Sequence, residues 1–229
     1  MSDEPLAFSP DQFSGVARVF PLPNLVMFPH VMQALHVFEP RYRALFEEAI
    51  DGDRLVALGV LAKGWEGDYE GRPPLRSTAC LCRIATHQRT KEGTYNALVL
   101  GVRRIRLVHE LPAKKLFRMV ESELLDEVEP DADPAAASAL QQELLTAFKQ
   151  SMPQIPHAYE QLDQLLGSQI TLGMLADIVS YTVDLGIEDK VRLLAECDVV
   201  RRTRLLLDVL ARRPAAAATR VFPPDFSIN

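Results

Sequence analysis

The chain has 229 residues, 48% hydrophobic, 24% charged and 7% aromatic, an ordinary folded composition for one large domain or two small ones, which excludes disorder and fibrous repeats. Its 25 basic and 31 acidic residues leave a net charge of −6, and because residues 1 to 112 carry thirteen of each sign, the whole excess lies in the second half. With a pI near 5.4 and no basic stripe, it lacks the clustered Lys and Arg that a phosphate backbone requires, which argues against nucleic acid as a partner.

Up to about Glu123, short apolar runs alternate with turn signals, the pattern of strands that turn every second side chain to a core. Strands are predicted at Ala17–Phe20, Met32–Val37, Leu55–Leu61, Thr78–Gln88, Tyr95–Leu100, Ile105–Glu110 and Phe117–Leu125. One helix interrupts them in EPRYRALFEEAIDGD, where Pro40 suits a first turn, Tyr42, Leu45, Phe46, Ala49 and Ile50 share a face, and Gly52 ends it. The loops LAKGWEGDYEGRPP (61–74) and QRTKEG (88–93) have the glycine and charge of hairpin connections. Glu121 to Asp133 then carries seven acids and no base, and the apolar period moves from two to between three and four. A boundary is therefore expected there: a mainly β part over 1–125, a helical bundle over 126–213 and an extended, proline-broken tail over 214–229. Bundle helices are predicted at 134–150, His157–Leu166, Leu172–Asp184, Glu188–Glu196 and Val199–Arg212, the last with Asp198 as N-cap. No period of 20 to 50 residues recurs, so a solenoid is not indicated.

The motifs of common chemistries are missing. Gly-Lys occurs nowhere, so there is no Walker A loop; Gly64, Gly67 and Gly71 have the wrong spacing for a dinucleotide fingerprint; and no Gly-x-Ser-x-Gly elbow is present. Cys80, Cys82 and Cys197 make an odd number at spacings unlike a secreted disulfide framework, the start MSDEPLAFSPDQ lacks a basic-then-apolar signal, and no apolar run reaches spanning length. A reduced, cytoplasmic protein without a membrane segment is expected. Cys80 and Cys82, with His87 beyond them, superficially offer metal ligands, but one intervening residue in an apolar strand suits two small core side chains better than a zinc knuckle. No metal and no cofactor is expected. His30, His36, His87, His109 and His157 are scattered, and the carboxylates Glu47 with Glu48 and Asp51 with Asp53 sit at a helix end and turn, where solvation accounts for them. Arg103, Arg104 and Arg106 form the compact basic cluster; Arg104 and Arg106 share a strand face, open either to an anion or RNA or, by the neutral balance of this half, to ion pairs with its own acids. Trp65, the sole tryptophan, either folds back onto the β part or acts as an exposed anchor with Tyr69.

The segment FPLPNLVMFPHVMQALHVFEPRYRALFEEAI (20–50) resembles the opening of the Lon-protease N-terminal domain, and RIATHQRTKEGTYNALVLGVRRIRLV (83–108) and ITLGMLADIVSYTVDLGIEDKVRLLAECDVVRRTRLLLDVL (170–210) are similar to its paired strands and closing helices. The resemblance covers about residues 16 to 212 and implies an α+β fold: a PUA-like β pseudo-barrel with one inserted helix, followed by a C-terminal helical bundle, with a role in recognising substrate proteins. Lon's ATPase and protease modules have no matching residues here, so no catalytic residue carries over and a non-enzymatic binder is expected. Its partners would be unfolded or specific protein substrates and a separate protease or ATPase, with self-association compatible; the alternative is a small-ligand or RNA-binding PUA-like protein. The candidate partner contacts are Trp65, Tyr69, Phe28, Arg104 and Arg106. Pro21, Pro23 and Pro29 read as turn formers, Gly101 as a bulge or close backbone approach, and Glu39, Arg41 and Arg43 as capping or pairing around the helix.

Overall fold

The computed structural model describes residues 8–67, 71–129, 134–151 and 170–212, and the chain divides into two compact units, one ending at Leu125 and the other starting at Asp126. The first holds strands β1 (Val16–Leu22), β2 (Met32–Val37), β3 (Leu55–Leu61), β4 (Leu75–Arg89), β5 (Tyr95–Glu110) and β6 (Arg118–Leu125), with helix α1 (Pro40–Asp51) between β2 and β3. The strand order is β2-β5-β4-β3-β1-β6, and a further β5–β6 pairing closes five strands into a barrel. This is the α+β pseudo-barrel with a helical C-terminal part that the resemblance implied.

Sequence alternation splits β5 into two strands at Gly101; the structure has one strand of 16 residues. One edge follows β4 from Tyr95 to Arg106, with register shifts between Leu81 and Cys82 and between Ile84 and Thr86. Its other edge pairs with β2 over Tyr95–Leu100 and with β6 over Arg104–Glu110. Gly101 marks the exchange of partners: the His30 N–H donates to its carbonyl at 2.8 Å and its own N–H donates to the Val31 carbonyl at 2.9 Å. A Cβ at this position would lie 2.1 Å from the Phe28 carbonyl oxygen. Glycine here permits a close crossing of two backbones, together with a bulge, rather than a break.

Two apolar layers fill this unit. Inside the barrel pack small and medium side chains, among them Ala17, Val19, Ala57, Ala79, Leu81 and Ile105. Outside it α1 covers the sheet with Tyr42, Leu45, Phe46 and Ala49, and Phe20 meets Tyr42 at 4.3 Å and Phe46 edge-on at 6.0 Å between ring centroids. β3 lies between the layers and is buried along its whole length; a strand covered on both faces has no polar side to alternate with, which is why LVALGVL reads as a continuous apolar run. β1 extends through Pro21 to Leu22, past the predicted end, because the β6 ladder stops at Val19 and that edge needs no donor from Pro21.

The second unit contains α2 (Pro134–Ser151), α3 (Leu172–Thr182), α4 (Ile187–Ala195) and α5 (Val199–Ala211). Thr171 and Asp198 cap α3 and α5, accepting from the N–H of Met174 at 3.2 Å and of Arg201 at 2.8 Å. α5 packs against α2, α3 and α4. In this unit Arg202 is fully buried, bonded to Glu127 at 2.6 Å and to the Glu196 carbonyl at 2.9 Å, with Asp177, also fully buried, 3.3 Å from its Nε. The predicted helix at His157–Leu166 and the tail over 214–229 lie outside the described residues.

Candidate partner-binding site

The predicted contact residues do not converge. Trp65 opens a short 3-10 turn, Trp65–Gly67, and is half-buried, while Tyr69 lies outside the described residues. Phe28 is fully buried: its segment seals the β5 edge at Gly101, so its ring is core and offers nothing to a partner. Arg104 is 1% exposed, although it shares the outer strand face with Arg106 as expected. Arg106 is exposed and pairs with Glu123 at 3.2 Å. The basic cluster is thus one buried and one paired arginine beside the half-buried Arg103, not a basic surface, and this removes the feature that favoured an RNA-binding reading.

The structure instead builds a cleft of about 250 Å³ from five separate stretches of chain. Pro21 at the end of β1, Tyr42 at the start of α1, Leu61 at the end of β3 and Phe117 before β6 supply an apolar floor. One wall is Gly71–Pro73, where the loop carrying Trp65 returns to the barrel; the other is Leu116 and Arg118, with Leu116 72% exposed at the lip. Sequence reading missed this site because its residues lie far apart in the chain. The one local signal was Leu116, an apolar side chain in the polar turn PAKKLF.

Charge is organised around the rim. Arg118 donates to Glu110 through Nε at 3.0 Å and Nη2 at 2.5 Å, and through Nη1 to the Pro73 carbonyl at 2.6 Å; this fork pins the Gly71–Pro73 wall to β5 and β6. Arg72 shares the same carboxylate at 2.8 Å, and Arg41 donates to Glu39 at 2.9 Å. Three guanidinium groups of the lining, Arg41, Arg72 and Arg118, thus each meet a carboxylate at the rim.

The helix-end acids are ion-paired, which corrects the solvation reading for two of them: Arg18 donates to Glu48 at 3.0 Å and to Asp53 at 2.8 Å, and Lys115 donates to Glu48 at 2.5 Å. Burial pushes the Glu48 pKa up, but hydrogen bonds and positive charge from Lys115 and Arg18 outweigh it, and the carboxyl is held below its ordinary value. Tyr95 is pushed the other way, first by burial and then by its hydrogen bond to Glu47 at 3.1 Å.

Cys80 and Cys82 point to the same side of β4 and are both fully buried as free thiols. Among the described residues no group of three His, Cys, Asp or Glu side chains could hold a metal ion, and no helix is long and apolar enough to cross a membrane.

Barrel, inserted helix and following helices place the chain in a class of α+β pseudo-barrel domains whose solved members show the same architecture. The N-terminal domain of Mycobacterium avium complex Lon protease superposes with a TM-score of 0.66 at 21% identity, covering 87% of this chain and 100% of that one. The Lon N-terminal domain protein from Xanthomonas campestris gives 0.61 at 19% identity, covering 87% and 99%. Residues 16–212 match the family model of the ATP-dependent protease La (LON) substrate-binding domain. The chain belongs to that family. Among curated relatives it is 30% identical over 203 residues to Lon protease 2 of Myxococcus xanthus and 26% identical over 194 residues to Lon protease of Heliobacterium modesticaldum. These alignments take in 86% and 85% of this chain but 24% and 23% of the relatives, so the chain spans about a quarter of the length of the proteins it matches.

Proposed function

We propose that the protein is a non-enzymatic recognition module of the cytoplasm that captures exposed apolar segments of unfolded or specific protein partners and serves a separate protease or ATPase. What carries the reading is that the matched family model describes the substrate-binding part of Lon and spans residues 16–212, nearly everything the structure describes. The cleft supports it with an apolar floor, a projecting Leu116 and guanidinium groups at the rim. Among the described strands, β2 ends the sheet order with one edge unpaired, so an extended segment has backbone donors and acceptors to add to.

The test is a titration of a fluorescently labelled, permanently unfolded model protein, read by anisotropy, with peptide-bond and ATP hydrolysis assayed on the same homogeneous sample. Saturable binding at tens of micromolar or tighter is expected, weakened about tenfold by Leu116→Asp, the loss of one anchoring contact. Absence of any complex, or hydrolysis that co-purifies with the chain, overturns the proposal.

A further inference from the structure

A second groove lies wholly within the helical unit, between one face of α2 and one face of α5. It measures about 940 Å³ and is lined from α2 between Ala136 and Glu143, from α5 and its cap between Asp198 and Asp208, and by Val128 and Glu129. We propose that this groove is a docking site for a basic amphipathic helix of a protein partner. The inference goes beyond the capture of unfolded segments and does not rest on the reading of the cleft in the first unit.

Three features favour this occupant. The first is an apolar floor with a fixed lip. Leu140 on α2 and Val200 and Leu207 on α5 line the groove half-buried, while Val128 is 56% exposed. The Val128 backbone is held in place: its N–H donates to the Cys197 carbonyl and its carbonyl accepts from the Val199 N–H, both at 3.0 Å. The second feature is charge. Glu129, Glu143, Asp198 and Asp208 line the groove against Arg201 and Arg204, and Arg201 is engaged by Asp198 at 3.2 Å and Glu196 at 3.6 Å. Three carboxylates, Glu129, Glu143 and Asp208, are left with the one guanidinium of Arg204, and none of these four makes an ion pair among the described residues. Residues 126–212 as a whole carry fifteen acids against seven bases. Such a field draws in a cationic partner and opposes nucleic acid or anionic lipid. The third feature is the kind of wall. Among the described residues the second unit has helices and an isolated bridge, Val128 to Asp198, but no strand. An extended segment would bury backbone donors and acceptors there with no ladder to join, whereas a helix arrives with its own already paired. The lining runs over eleven residues from Asp198 to Asp208, about 15 Å, so a partner helix of about three turns spans it.

The experiment is an anisotropy titration of the full chain with a labelled helix-forming peptide of Leu, Ala and Lys, its Leu and Lys set on opposite faces. Two control peptides carry Glu in place of every Lys, or a central Pro that breaks the helix. Binding at tens of micromolar is expected for the Lys peptide at 50 mM salt, weakened about five- to tenfold at 200 mM as the exposed charges are screened. Glu143→Lys should weaken it about tenfold and Val128→Ser about threefold, while Asp189→Lys, the same charge change elsewhere in the unit, should have less than a twofold effect. Glu143 and Val128 are exposed, so these changes leave folding intact, and far-UV circular dichroism checks it. No binding of the Lys peptide overturns the inference, as does equal weakening by Glu143→Lys and Asp189→Lys, which would mean attraction by net charge alone. Equal affinity for the Glu peptide or the Pro peptide also overturns it. Self-association seen by sedimentation and lost in Glu143→Lys, without peptide binding, overturns it in favour of a second copy of the chain. The labelled unfolded protein is titrated in parallel: if it binds while the Lys peptide does not, the inference falls and the recognition function stands, and the reverse result reverses the two.

Discussion

At Gly101 the missing side chain sets the local structure, for a Cβ there would sit 2.1 Å from the Phe28 carbonyl oxygen, well inside contact distance. Gly101→Ala must push the 28–31 segment away and strain or break both hydrogen bonds that link it to β5, at 2.8 and 2.9 Å. A cost of about 2–4 kcal/mol is expected from overpacking combined with the lost pairs, read as a fall in the urea midpoint with an unchanged slope. Gly67→Ala is the control: nothing lies within 4 Å of a Cβ there, so its effect should stay within about 0.5 kcal/mol. Arg202 presents the opposite situation, a side chain with 0% exposure whose charge is balanced by Glu127 and Asp177. Arg202→Met removes the guanidinium that lies 3.3 Å from the fully buried Asp177 carboxylate and bonds Glu127, and should destabilise by about 3–5 kcal/mol. Adding Asp177→Leu should recover part of that loss, since an apolar pair needs no neutralisation; a double variant less stable than Arg202→Met alone would contradict this account.

At the scale of elements, the C-terminal end of α1 is held to the barrel by charge as well as by its apolar face. Arg18 on β1 grips Glu48 and Asp53, and Lys115 reaches Glu48 from the turn before β6. Because the Glu48 pKa is lower in the folded chain than the ordinary 4.5, its contribution is present above that value and disappears as pH falls through the depressed one. Glu48→Gln should therefore be less stable than the natural sequence at pH 7, and the gap should close as thermal unfolding is repeated at progressively more acidic pH; a gap independent of pH would show that the pairing carries no net stability. The elements themselves were largely legible in sequence. The ranges Met32–Val37 and Leu55–Leu61 were predicted to the residue, because a strand ending in turn signals declares its limits through composition. The division of β5 was wrong for a physical reason: glycine in a strand reads as a break, whereas the approach that demands it, from Phe28 over seventy residues earlier, has no local trace. The cleft was illegible for the same reason. Pro21, Leu61, Phe117 and Arg118 each look like ordinary strand ends, and they become a site only after β1, β3 and β6 are brought side by side by barrel closure.

For the whole molecule, the distribution of charge discriminates between the kinds of partner a barrel of this type can bind. Residues 1 to 112 sum to zero charge, and across the first unit Arg18, Arg72, Arg106 and Arg118 each face a carboxylate at 3.2 Å or less, while Arg104 is buried. A surface organised in this way has few condensed counterions to displace, and recognition must draw on apolar burial and backbone pairing, which salt screens little. Capture of an unfolded polypeptide should accordingly weaken by no more than about threefold when salt is raised from 50 to 200 mM, whereas a ligand held through six or more phosphates would lose ~10³–10⁵ over the same range. The measurement is the anisotropy titration repeated at four salt concentrations, with a single-stranded RNA of matched length in parallel. Arg106→Glu serves as the charge probe, since its guanidinium is solvent-exposed and its Glu123 pairing is worth little. Polypeptide binding that stays flat with salt and is indifferent to Arg106→Glu agrees with an apolar cleft and a free strand edge as the working surfaces. A steep slope, or tight RNA binding abolished by that one substitution, would mean that the paired arginines open to an anionic partner and that the barrel's chief ligand is a nucleic acid.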